Sequence, residues 1–320
     1  MRVLVTGGAG FIGSHLVERL LARGERVSVI DDFNDYYDPA GKRSNLAAVR
    51  ADPRLAVYEG DIRDQRLVAE IMMRERPEAL VHLAARAGVR ASIAQPELYL
   101  QVNVDGTHVL LQSALQTGVE HFVFGSSSSV YGADTPAPFR EDAPADRPIS
   151  PYGATKRMGE ILAHTFHWLY GMPVTVLRLF TVYGPRCRPD LAVHSFSRRM
   201  LEGEPISVFG DGSAQRDFTY VEDIVAGFER AIDRPQGYRV FNLGGGRPIT
   251  VLRLISLLEE RLGVQAALEF GPPQQGDVEM TFAGIERAER LLAWRPEVAI
   301  EEGLDRWCRW YGSRTAGLRA

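Results

Sequence analysis

The sequence predicts an α/β protein: a doubly wound parallel sheet with a smaller, interleaved C-terminal domain. Three observations carry this. Apolar, β-branched runs alternate with runs of helical period from the first residues onward. A glycine-rich turn separates the first strand from the first helix. Past residue 185 the alternation loosens into segments punctuated by proline and glycine.

Taken in order, RVLVT is the first strand and SHLVERLLARG a helix beginning near Ser14 and stopping at Gly24. RVSVIDDF is the second strand, ALVHLAA a later one, VDGTHVLLQSALQTG a helix closed by Gly118, and HFVFGSS the next strand. Strands this uniformly apolar suit a sheet covered on both faces. SPYGATKRMGEILAHTFHWLYG reads as a long helix with Pro151 near its first turn, and VTVLRLF as a buried strand behind it. ISVFGDG and TVLRLISLLEERLG supply the shorter elements of a second domain. FTYVEDIVAGFERAI and RVFNLGG have the character of the sheet instead. The expected division is residues 1–182, with returning segments at about 215–243, against the remainder of 183–320.

The chain has 320 residues, 45% of them hydrophobic, enough for a substantial core. Its 37 basic and 41 acidic residues give a net charge of -4 with no basic block, which argues against a nucleic-acid partner. Cys187 and Cys308 are too few and too far apart for a disulfide framework or a metal site, so no metal and a reducing compartment are expected. The opening MRVLVTGG lacks the phases of a signal peptide, and no apolar run reaches membrane-spanning length. A cytoplasmic location without a membrane partner is the expectation.

TGGAGFIG, Thr6 to Gly13, lies between the first strand and first helix, so backbone amides there can approach a pyrophosphate at a helix N-terminus. Gly7, Gly10 and Gly13 are spaced more widely than in the G-x-G-x-x-G fingerprint. With acids at the next strand end, the loop nevertheless indicates a Rossmann-type dinucleotide site. Asp31 and Asp32 end that strand, where carboxylates accept ribose hydroxyls and repel a 2′-phosphate, so NAD is favoured over NADP. Lys42 and Arg43 downstream run against that preference. Asp61, in GDIRD, is placed either to meet adenine or merely to make a polar turn.

Tyr152 and Lys156 lie four apart on a helix, hence on one face, where an ammonium can lower the pKa of a phenol. They follow the four-serine run GSSSSVYG, Gly125 to Gly132, which ends a strand on the sheet edge where such folds bind ligands. Tyr-x-x-x-Lys by itself is common on solvated faces; the loop, the serines and the pair together indicate a catalytic centre.

TGGAGFIG, the Asp31–Asp32 strand end, HLAA, SSSSVYG, YGATK and RDFTYVEDI together resemble the extended short-chain dehydrogenase/reductase family over nearly the whole chain. DDFNDYYDP, AGVRASI, TVYGPRCRPDLA and QQGD further resemble its UDP-glucuronate 4-epimerases. The resemblance implies Tyr152 as base, Lys156 as its electrostatic partner and nicotinamide-ribose contact, and Ser127 as the hydroxyl beside the reacting sugar oxygen. It puts the Phe11 and Ile12 amides on the pyrophosphate, and Asp31, Asp32 and Asn34 on the ribose with Lys42 nearby. Asp61 and Ile62 flank adenine; Leu83, Ala84, Ala85 and Asn103 line the cofactor channel. Arg90, Arg188, Arg216 and Asp277 hold the UDP part, with Phe209 bordering the uracil. A homodimer through helices around Val104–Gln116 and Ala154–Trp168 is also implied.

The implied reaction is NAD-dependent 4-epimerisation of UDP-glucuronate to UDP-galacturonate through a 4-keto intermediate. That intermediate is a β-keto acid and loses carbon dioxide once its C5–C6 bond aligns with the carbonyl π system. Ser128, Ser129 and Thr181 offer uncharged donors to restrain the carboxylate; alternatively the serines only satisfy strand-end backbone groups. Related dehydratases carry Asp and Glu at the positions of Ser128 and Ser129, and related decarboxylases a Glu at the second. An arginine common before Gly276–Asp277 in other sugar-nucleotide epimerases is replaced by Gln274 and Gln275. Left open are a UDP-glucose or UDP-N-acetylglucosamine 4-epimerase, a UDP-glucuronate decarboxylase, and a non-enzymatic NAD sensor or scaffold.

Overall fold

The computed structural model describes residues 1–274 and 276–316; Gln275, part of the QQGD resemblance, lies outside the described residues. In chain order the first half runs β1 (Arg2–Thr6), α1 (Phe11–Ala22), β2 (Arg26–Asp31), α2 (Pro39–Asn45), β3 (Leu55–Glu59), α3 (Gln65–Glu75) and β4 (Ala79–His82). Then come α4 (Val89–Ala94), α5 (Pro96–Leu100), α6 (Gly106–Thr117), β5 (His121–Ser127), α7 (Pro151–Tyr170) and β6 (Val174–Leu179). The second half runs β7 (Thr181–Tyr183), α8 (Ala192–Glu202), β8 (Ile206–Phe209), β9 (Gln215–Arg216), β10 (Phe218–Tyr220), α9 (Val221–Ile232) and β11 (Tyr238–Leu243). It closes with β12 (Ile249–Thr250), α10 (Val251–Leu262), β13 (Leu268–Gly271), α11 (Glu286–Leu292) and α12 (Ile300–Ala316).

Seven parallel strands form the central sheet in the order β11-β6-β5-β4-β1-β2-β3. Their inner residues, among them Leu4, Val5, Val29, Val81, Val123 and Leu177, are fully buried, because helices cover both faces. The order reverses between β1 and β4, so the carboxyl ends of these two strands open a crevice. Local chemistry fixes the flanking helices. Ser150 caps α7 by accepting from the Gly153 amide at 3.1 Å, with Pro151 at its first position. Gly118 closes α6 in the left-handed conformation, φ 73°.

α1 begins at Phe11, three residues before the expected Ser14, with no side chain capping it at Gly10. The glycines themselves turn the chain into the helix, so its first amides stay open.

The chain returns to the sheet after β10. α9 packs on α1, with Arg23 bound to Asp233 at 2.7 Å, and β11 pairs with β6. Beyond the sheet, β8 pairs with β13 and β9 with β12. α8 and α12 meet through buried Trp307, stacked 5.2 Å from Tyr311 and donating to Ser197 Oγ.

Candidate active site

Two adjoining cavities open at the carboxyl edge of the sheet. The first is lined by Gly7, Gly10, Phe11, Ile12 and Gly13 of the glycine loop, Asp31, Asp32, Asn34 and Lys42 beyond β2, and Asp61 and Ile62 beyond β3. Leu83, Ala84 and Ala85 beyond β4, and Tyr152, Lys156 and Arg188, line it as well, among others. The second is lined by Ser128, Ser129, Thr181, Arg216 and Asp277, among others.

The glycine loop is folded too tightly for side chains. Gly7 has φ 70°, and a Cβ on Gly13 would lie 2.1 Å from the Gly7 carbonyl oxygen. The first residues of α1, whose amides carry no side-chain cap, line the cavity with the glycine loop, so these residues fit a dinucleotide. The two aspartates divide the work. Buried Asp31 accepts from the Ala9 and Phe33 amides, both at 3.0 Å, tying β2 to the loop. Burial pushes its pKa up, against those amides and Lys42. Asp32 is exposed and accepts from Asn34, leaving it the more available partner for ribose hydroxyls. Lys42 donates to the Asn34 carbonyl at 2.8 Å, and Asp61 is held by Arg63.

Three expected site residues have partners within the protein. Asn103 lines neither cavity: its side chain accepts from the Arg86 amide and donates to the Arg86 carbonyl and to Thr155 Oγ1. It braces the turn after β4, with both amide hydrogens and the amide oxygen engaged there. The Lys156 ammonium donates to the Gly125 carbonyl at 2.8 Å, over the Phe124 ring. Burial raises the Tyr152 pKa, and the opposing influences are the Ser127 hydroxyl and the Arg188 guanidinium. Arg188, expected with Arg90 and Arg216, is instead captured by Asp190 through two hydrogen bonds at 2.9 and 2.8 Å and lies in the first cavity.

The other expected groups come together. Arg90 reaches Asp277 at 3.4 Å and stacks over Phe209, 4.6 Å from its centroid. Arg216 and Asp277 line the second cavity alongside Thr181. The serines separate by task. Ser126 is buried and donates to Glu160 at 2.6 Å; Ser127 accepts from the Ser129 amide at 3.2 Å; Ser128 and Ser129 face the second cavity. Ser127 itself lines neither cavity, but its chain neighbours do, Ser126 the first and Ser128 the second.

A buried hydrogen-bond chain joins the loop to the tyrosine helix. The Ala84 amide donates to Thr6 Oγ1, which faces His82 Nδ1 at 2.8 Å; His82 Nε2 faces Thr107 Oγ1 at 2.9 Å. Thr107 donates to the Asn103 carbonyl, so its oxygen must accept from His82, which assigns the proton to Nε2. Burial, with Lys156 adding to it, drives the His82 pKa far down, keeping it neutral. Thr155 finally donates to the Tyr152 carbonyl at 2.9 Å.

Several site residues escaped sequence reasoning. Glu160 continues the i, i+4 face of Tyr152 and Lys156 and binds Arg178 and Ser126; extending the spacing one more turn would have found it. Asp190 stands two residues from Arg188, also a readable pairing. Tyr36 and Tyr37, within DDFNDYYDP, and Arg86, just after HLAA, also line the first cavity, although no role was read for them.

A family described as NAD dependent epimerase/dehydratase matches residues 3–244. A UDP-glucuronate 4-epimerase of Thermodesulfobacterium geofontis is 43% identical over 308 residues, covering 96% of this chain and 95% of the relative. Among solved structures, the UDP-glucuronic acid 4-epimerase from Bacillus cereus, in complex with UDP-glucuronic acid and NAD, superposes with a TM-score of 0.93. It is 36% identical and covers 98% of this chain and 100% of that one. The UDP-glucose 4-epimerase of Thermotoga maritima with UDP-glucose has a TM-score of 0.91 at 37% identity, covering 98% and 100%. With a dinucleotide loop, a tyrosine–lysine helix face and a family match over most of its length, this chain belongs to the NAD dependent epimerase/dehydratase family.

Proposed function

We propose that the protein interconverts UDP-glucuronate and UDP-galacturonate by inverting C4, without loss of carbon dioxide. The observation that carries this is the wall of the second cavity. Ser128, Ser129 and Thr181 present neutral hydroxyls there, and its one acid, Asp277, is matched by Arg90. A carboxylate at C6 meets donors rather than like charge in such a wall. Similarity to the Thermodesulfobacterium and Bacillus epimerases supports the same substrate.

Bound NAD supplies the acceptor, then the donor, of the C4 hydride. Tyr152 takes the C4 hydroxyl proton and later returns it, with Ser127 hydrogen-bonded to the same oxygen. The Ser127 hydroxyl and Arg188 offset the burial that disfavours its phenolate. Lys156 is held by Gly125 at the end of β5, one helical turn from Tyr152. Ser128, Ser129 and Thr181 hold the carboxylate so that the C5–C6 bond stays out of line with the ketone. Arg90, Arg216 and Asp277, with Phe209 at the edge, take the UDP portion.

We further assign residues 1–182 and about 215–243 to cofactor binding and the remainder to UDP-sugar binding. No helix among the described residues is long and apolar enough to cross a membrane. Two unpaired cysteines support a reducing, cytoplasmic setting, which cell fractionation tests. The outer face of α7, with Ile161 50% and Trp168 79% exposed, supports a homodimer; sedimentation at the monomer mass refutes it.

The test is incubation of the protein with UDP-glucuronate and, separately, UDP-glucose, with products resolved by NMR. UDP-galacturonate is expected from the first. Turnover of UDP-glucose alone gives the reading to a UDP-glucose 4-epimerase, and UDP-pentose gives it to a decarboxylase. Tyr152→Phe is expected to keep NAD and lose turnover; an active variant removes the proposed base.

A further inference from the structure

Four cationic side chains line the first cavity, and three are committed. Lys42 donates to the Asn34 carbonyl, Lys156 to the Gly125 carbonyl, and Arg188 to Asp190. The fourth is Arg86. Its Nε is buried without a hydrogen-bond partner among the described residues. A buried donor of a charged group left unpaired is costly, so such an atom calls for an acceptor.

The direction of Arg86 is set by its backbone. Asn103 grips it on both sides, accepting from the amide at 2.8 Å and donating to the carbonyl at 2.9 Å. The strand end it follows abuts the glycine loop: a Cβ on Gly7 would lie 2.7 Å from the Ala84 nitrogen. The guanidinium and the uncapped amides of α1 therefore share one cavity. Arg86 also lowers the pKa values of both Lys42 and Asp61, which places its charge within range of these two groups.

We propose that Arg86 is a binding residue for the diphosphate of the dinucleotide, supplying the side-chain cation that the glycine loop lacks. A planar guanidinium fork suits phosphate oxygens, and the helix amides alone provide only partial positive charge. The assignment rests on the NAD reading for the identity of the whole ligand, but its diphosphate part can be tested separately.

The experiment is calorimetric titration of the full chain, freed of nucleotide, with NAD, ADP and adenosine. Wild type, Arg86→Gln and Arg86→Lys are compared. Arg86→Gln is expected to weaken ADP and NAD about tenfold while adenosine changes less than about twofold; Arg86→Lys falls between. The ADP affinity of wild type should also fall more steeply with salt than that of Arg86→Gln. ADP binding unchanged in Arg86→Gln overturns the inference. So does an equal loss for adenosine, which would make Arg86 a support for the nucleoside side. Binding of ADP but not NAD by wild type would instead overturn the cofactor reading and leave Arg86 to be judged on ADP.

Discussion

Replacing Lys156 by methionine should reveal how much stability the protein gives up to keep an ammonium beneath its tyrosine helix. Lys156 is 4% exposed, and burial pulls its pKa from 10.5 to about 8, with Glu160 opposing the fall. That difference corresponds to about 3 kcal/mol against the folded state. The sign follows from proton counts. Below the folded value both states carry the proton and the penalty is complete. Between the two values the unfolded chain keeps its proton while the folded one sheds it, so wild type gains stability as pH rises. Methionine fills similar space without titrating; its lost hydrogen bond to Gly125 is a roughly constant offset. The stability of Lys156→Met minus that of wild type should therefore shrink by about 2.5 kcal/mol between about pH 7 and pH 10. Urea unfolding followed by tryptophan fluorescence, at fixed ionic strength, measures it. A difference flat within about 0.5 kcal/mol over that range would show that the lysine is not strained by burial.

Two further outcomes follow from the geometry. Gly13→Ala forces a methyl against the Gly7 carbonyl and the Gly8 Cα, 2.1 and 2.8 Å away, so the loop must open. The variant should lose about 1–3 kcal/mol of stability and most of its NAD affinity, read by thermal melts with and without NAD; an unshifted response contradicts the loop assignment. The double substitution Ser128→Ala and Ser129→Ala should let part of the keto intermediate lose carbon dioxide, seen as UDP-pentose by NMR. Clean epimerisation by that variant would reassign the two hydroxyls to backbone support.

The fold was largely legible because its signals are local and redundant. β1 and β5 carry the apolar runs VLV and FVF, Ser150 and Pro151 start α7, and Gly118 ends α6. The start of α1 was misplaced because no capping side chain marks it. Site residues carried by motifs, such as Gly7, Asp31, Asp61 and Tyr152, fall in the cavity where the pattern puts them. Those that depend on a choice among partners were not readable. Asn103, for one, turns away to brace Arg86.

The sequence by itself determined the parallel sheet, the dinucleotide loop and the helix face shared by Tyr152 and Lys156, since each follows from spacing along one segment. Only the tertiary structure decided where charges rest. It drew Lys156 to Gly125 and Ser126 to Glu160, and left the Arg86 Nε without a partner among the described residues. The reason is that a buried polar group bonds to whatever folding brings within about 3 Å, and those neighbours come from strands and helices far apart in the chain.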